Sequence, residues 1–275
     1  MPALTSRLDS AASIDAIYFT EPGLNDSTSP PQPPSTRYPR LDALRGLAIV
    51  WMAGFHFAFD LNHLGWITQN FHQDPRWTLQ RTAIVSLFLL CAGLGQALAV
   101  QLGQSTERFW RRWAQVAACA VLVTAGSWLM FPRSFITFGV LHGMAVMLLL
   151  LRFAGPRLPQ AACWALGLLA LFLPQLLPLF WHHPLLDSRA LNWIGLVSVK
   201  PITEDYVPLL PWLGVMLWGF ALGRWLLAAR PQWLAGDLPK GLRGLALLGR
   251  WSLSFYMLHQ PVLIGLLSLA ANIRG

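Results

Sequence analysis

From residue 43 onward the chain alternates between long apolar runs and short polar breaks. Seven runs stand out, at about 43–62, 79–102, 112–131, 135–152, 159–181, 208–228 and 250–270. A helix needs about 20 mostly apolar residues to cross the hydrocarbon core of a bilayer. The pattern therefore predicts an all-α fold: a polytopic membrane helix bundle with about seven transmembrane helices. The fourth run is short, bounded by Pro132-Arg133 and Arg152. The fifth carries Pro174 and Pro178, which predicts a kink near its end. No internal repeat divides the chain.

The first run, "LDALRGLAIVWMAGFHFAFDL", is interrupted by Asp42, Arg45, His56 and Asp60. At about 100° per residue, the eleven-residue step from Arg45 to His56 returns to within about 20° of one face. Asp60 lies one turn beyond His56, and Asp42 lies three residues before Arg45, on that same side. The four form a polar stripe. A rise of about 1.5 Å per residue puts Arg45 and His56 about 16 Å apart along the axis. Arg45 with Asp42 fits a cation at the membrane surface with its local partner. An imidazole with a carboxylate one turn away fits a functional site, because ionisable groups inside a span cost on the order of 2.5–3.5 kcal/mol each. In such a pair the carboxylate accepts one imidazole N–H and leaves the other nitrogen as a base. His142 in the fourth run lies at a depth similar to His56, flanked by Gly139 and Gly143. His259 lies mid-span in the seventh, followed by Gln260 and Pro261. Three histidines in three helices suggest one polar cavity between spans one, four and seven. No two lie at i,i+4 and no acid-rich ligand set accompanies them, so no metal is expected.

Composition agrees with a membrane protein. Of the 275 residues 55% are hydrophobic and 12% charged, with a mean hydropathy of +0.48, against about a quarter charged in soluble domains. The net charge of +8 comes from cations scattered between apolar runs. That distribution reads as topology signals and lipid contacts rather than a nucleic-acid surface. With the N-terminus in the cytoplasm, fourteen of the 20 Lys and Arg residues fall on inner segments and six on outer ones, so this orientation is expected. Cys91, Cys119 and Cys163 read as buried small hydrophobes. Residues 1–36 are Pro/Ser-rich, with no basic start followed by an apolar core. They are expected to be a disordered tail without a cleavable signal, and 37–275 the membrane domain.

The segments "LDALRGLAIVWMAGFHFAFDLN", "FITFGVLHG", "DYVPLLPWLGVMLWG" and "GRWSLSFYMLHQPVLI", in this order, resemble the bacterial members of the heparan-alpha-glucosaminide N-acetyltransferase catalytic-domain family. The resemblance covers most of 37–270. The Arg45-x10-His56 spacing also resembles the Arg-x10-His motif of membrane acyltransferase-3 proteins. These resemblances imply a transmembrane acyltransferase of the bacterial inner membrane. It would take an acetyl or other acyl group from cytoplasmic acyl-CoA to a carbohydrate or other envelope acceptor on the far side. Arg37, Arg40, Arg45 and Arg250 are the candidates for the CoA phosphates, and His259 is grouped with them for the donor. His56, Asp60 and His142 are the candidates for the chemistry. The lysosomal enzymes of the family use a histidine in the loop after the first span, and an ungapped comparison back from "FLLCAG" places His72 there. Membrane lipids are expected partners, and a homo-oligomer is possible. Two other classes compete: a proton-coupled transporter, because intramembrane Asp and His also build proton relays, and a non-catalytic membrane partner in which the stripe only packs helices.

Overall fold

A computed structural model describes residues 37–274; the expected tail, 1–36, lies outside the described residues. The seven apolar runs form α1 (Pro39–His63), α2 (Pro75–Gln101), α3 (Thr106–Met130), α4 (Val140–Phe153), α5 (Gln160–Phe180), α6 (Leu209–Ala229) and, beyond two short helices α7 (Pro231–Ala235) and α8 (Arg243–Arg250), α9 (Ser252–Arg274). Six of them are long and apolar enough to cross a membrane; α4, with 14 residues, is not.

The starts follow local chemistry. Pro39 and Pro75 open α1 and α2, where a missing N–H costs nothing. The Asp74 side chain accepts from the Arg76 N–H (2.8 Å), and Ser105 accepts from Arg108 N–H (3.3 Å), which caps α2 and α3. Pro174 and Pro178 both stay inside α5.

Two helices form the centre. Half of the spanning stretch of α6 and 44% of that of α2 are buried, against 11% for α3 and α9. Leu89, Met147, Met216 and Phe220 are fully enclosed between α2, α4 and α6. The two central helices touch backbone to backbone, since a Cβ on Gly93 would strike the Met216 carbonyl and one on Gly219 the Leu90 carbonyl. Small residues permit such approach in a bilayer, where lipid tails are as apolar as leucine and packing must hold helices together. The outward faces of α3 and α5 expose Leu122, Leu179 and Phe180, as a lipid-facing surface would. Cys91 and Cys163 are buried and Cys119 partly so; all three are free thiols.

The fourth element differs most from the sequence expectation. The run was expected to be helical from 135, but α4 begins at Val140. Residues 134–138 instead pair with 203–207: Glu204 N–H donates to the Ser134 carbonyl (2.9 Å), Val207 N–H to Phe138 (3.2 Å), and Phe138 and Tyr206 form a parallel bridge. Apolar content alone does not separate a helix from an extended strap that another loop covers. The Asp205 carboxyl oxygen then accepts from Val140 N–H at 2.8 Å, which satisfies one of the free N–H groups at the α4 N-terminus.

Candidate active site

Two helices bring the site together. α9 runs beside α1, and the His56 and His259 rings meet edge to face with centroids 5.1 Å apart. One turn further along α1, Asp60 is buried, and its Oδ1 accepts from Gln260 Nε2 at 2.9 Å. The expected His56–Asp60 hydrogen bond is therefore replaced. The carboxylate is taken by an amide from another helix, and the His56 ring turns to His259. His63 lies close enough to Asp60 to feel its charge.

The hydrogen bonds fix one tautomer. His259 Nδ1 lies 2.7 Å from the Tyr256 carbonyl, and a carbonyl only accepts, so Nδ1 carries the proton and Nε2 carries the lone pair. That Nε2 is buried without a partner, as are Asp60 Oδ2 and Gln260 Oε1. Three hydrogen-bond acceptors thus lie in one buried region without a hydrogen-bond partner among the described residues. Leaving such a group unpaired costs roughly 1–3 kcal/mol, so this cluster has the chemistry of a receptor for a group rich in N–H or O–H.

His142 is differently engaged. The Thr124 hydroxyl donates to the Ile136 carbonyl (2.8 Å) and lies 3.1 Å from His142 Nε2, so it accepts the Nε2 proton. Nδ1 then accepts from Gly139 N–H at 3.3 Å. Both ring nitrogens are occupied in holding the start of α4. Its aromatic neighbour is Phe138, at 5.8 Å between centroids, and the helices packed on α4 are α2, α3 and α6. The structure brings together the histidines of α1 and α9, the first and seventh apolar runs, and His142 serves a separate locus. His72 stands apart again: it is exposed in the α1–α2 loop, beside Phe59, and lines a cavity of about 400 Å³ with Asn62, His63 and Phe71. This cavity opens at the end of α1 that carries Asp60.

At the opposite end of α1, Arg45 pairs with Asp42 Oδ1 at 3.1 Å, and its guanidinium lies against Gly95 of α2. Arg40 is spent on structure: it donates to the carbonyls of Trp233 (2.9 Å) and Asp237 (3.4 Å) and stacks over Trp233. Arg250 is exposed at the end of α8. The arginines that sequence reasoning passed over are Arg108, Arg111 and Arg112 at the start of α3. Arg112 lies within electrostatic reach of both of these neighbours and of Arg37 and Arg45. The dense run "ERFWRRW" is their signal in the sequence. Gln260 was likewise passed over; its only signal was adjacency to His259.

A family model described as heparan-alpha-glucosaminide N-acetyltransferase, catalytic, matches residues 37–261. The chain belongs to this family. No curated protein and no solved structure matches it. Membership of this acetyltransferase family, with six helices able to cross a membrane, makes the protein an integral membrane protein of acyltransferase type, and the family implies an acyl-CoA co-substrate in general. The matched range contains every element of the His56–Asp60–His259–Gln260 cluster and the arginine-rich end. It also contains His142 and His72. Among the described residues no group of three His, Cys, Asp or Glu side chains is placed to hold a metal ion.

Proposed function

We propose that the protein transfers an acyl group from acyl-CoA to an amine or hydroxyl acceptor, with the donor approaching from the arginine-rich end and the acceptor from the end that carries Asp60. The observation that supports this most directly is the set of three unpartnered acceptors around His56. Family membership supports the reaction type, and the arginines of α1 and α3 supply the charge that CoA phosphates require.

In this reading His259 Nε2 is the base. The Tyr256 carbonyl holds its other nitrogen protonated, so the lone pair stays on Nε2. Asp60 Oδ2 and Gln260 Oε1 accept hydrogen bonds from the incoming group and orient it. The acceptor nitrogen or oxygen attacks the thioester carbonyl and the C–S bond breaks. The acceptor's proton passes to the imidazole and then to the departing thiolate. His56, which has no hydrogen-bond partner among the described residues, is placed to share that proton with His259. An amino group has more N–H donors to offer these acceptors than a hydroxyl has, which favours N-acylation over O-acylation.

The test is thioester turnover by the purified protein with a panel of amino and hydroxy sugars. His259→Ala and His56→Ala are expected to lower kcat by about 10²–10⁴-fold, the usual worth of a positioned base. Full turnover in both variants would refute the assignment.

A further inference from the structure

Residues 230–251 join the end of α6 to the start of α9. Both of those helices are long and apolar enough to cross a membrane, so the segment between them lies at one membrane face. That face is the arginine-rich one, because Gly249 of α8 sits against the Asp42 carbonyl, beside the Asp42–Arg45 pair. The segment carries Arg230, Lys240, Arg243 and Arg250 against one acid, Asp237. All five are exposed, and none of the four cations has a side-chain hydrogen bond or ion pair among the described residues.

α8 divides these groups between two faces. A helix turns about 100° per residue, which puts Arg243, Leu247 and Arg250 within about 60° of one another. Leu245 and Gly249 lie on the opposite side, where the α8 backbone packs on α1 at Gly46 and Asp42. The outward face thus has a leucine between two arginines, and Trp251 follows it. Leu247 is 56% exposed and Trp251 64%. This is the composition of a helix held in the headgroup region of a bilayer. There the leucine enters the acyl boundary, the indole sits at headgroup level, and the arginine stems reach along the apolar surface to phosphate.

We infer that the outward face of α8, with Lys240 before it, binds the headgroups of anionic phospholipids in the leaflet at the arginine-rich end. A leaflet offers this face both things it lacks, an apolar layer for Leu247 and phosphate for the free cations. The surplus of positive charge selects anionic over zwitterionic lipid. A second copy docking through the same face would set these cations against one another. Because α8 meets α1 with glycine backbone and no side chain between them, headgroups bound on its outer side brace the helix that carries His56.

The test uses the full chain in phosphatidylcholine nanodiscs containing a trace of phosphatidylglycerol with a photoactivatable headgroup, and crosslinks are read by peptide mapping. No acyl-CoA is present, so the outcome does not depend on acyl transfer. Crosslinks should concentrate on residues 240–251. Unlabelled phosphatidylglycerol should compete them away, extra phosphatidylcholine should not, and salt should weaken them. Lys240→Gln and Arg243→Gln should each lower the yield about fivefold, the worth of one cation at an anionic membrane surface, and together by more than tenfold. Arg76→Gln, which removes an exposed cation at the start of α2, should leave the yield unchanged. Added CoA should also leave it unchanged. Loss of the crosslinks with CoA would give this face to the donor and overturn the inference. So would crosslinks spread evenly over the chain, an unchanged yield in a double variant that keeps its Tm, or burial of residues 240–251 against a second copy.

Discussion

His142 and His259 are both imidazoles on apolar helices, and their hydrogen bonds give them opposite capacities. His142 has a donor bond to Thr124 and an acceptor bond from Gly139 N–H, so its removal should act on folding first. His142→Ala is expected to cost roughly 1 kcal/mol, like other lost helix caps, seen as a lower Tm, while turnover below the melt falls far less than in His259→Ala. Sequence spacing placed both histidines at plausible depth. It could not tell them apart, because the tautomer depends on which carbonyl or hydroxyl of another segment the ring meets. The same limit applied to Asp60, whose partner, Gln260, is 200 residues away. In the loops, Asp187 shows a pH signature. The Ser198 hydroxyl and the backbone N–H groups of Ser198 and Val199 hold its carboxyl below the usual range. A lowered folded-state pKa means that the stabilisation is complete above the ordinary carboxylate value of about 3.9 and is lost as pH falls through the lowered one. Protection of the Ser198 amide in hydrogen exchange should therefore collapse in that acidic window. In Asp187→Ala it should be low at every pH.

At the scale of elements, the helices that build the site are α1, α8 and α9. Gly46 lies against the Leu245 backbone, and Gly249 against the Asp42 carbonyl, so α8 packs on α1 with no side chain between them and α9 starts in line for His259 to reach His56. Gly249→Leu should push the helices apart at a cost of about 1–3 kcal/mol, the usual penalty of overpacking. Gly244→Leu, where nothing lies within 4 Å, should leave Tm nearly unchanged. Thermal melts in detergent with a thiol-reactive dye would read both. The long helices were legible because apolar length is the signal that defines them, and α1, α5 and α6 end within a few residues of the expected positions. α8 was not, since eight residues of which four are arginine or glycine carry no membrane signal. α4 was legible in existence but not in its start, because its first residues are held by a strap that only the fold delivers.

For the whole molecule, the arginines of α1 and α3 gather at one end, and the cavity lined by His63 and His72 opens at the other. If the arginine-rich end is cytoplasmic, as the distribution of Lys and Arg implies, a membrane-impermeant maleimide applied to intact cells should label Val199→Cys, which is well exposed, and should reach Glu107→Cys only after permeabilisation. The reverse pattern would invert the assigned direction of acyl transfer. The sequence by itself determined the class of protein, the placing of its apolar runs and the presence of ionisable groups inside them, because hydrophobicity and charge are properties of the chain read locally. Only the tertiary structure decided which of those groups act together. Hydrogen bonding and desolvation are set by neighbours that lie up to 200 residues away, and these gave Asp60 to Gln260, left His259 Nε2 bare beside His56, and locked His142 into the start of a helix.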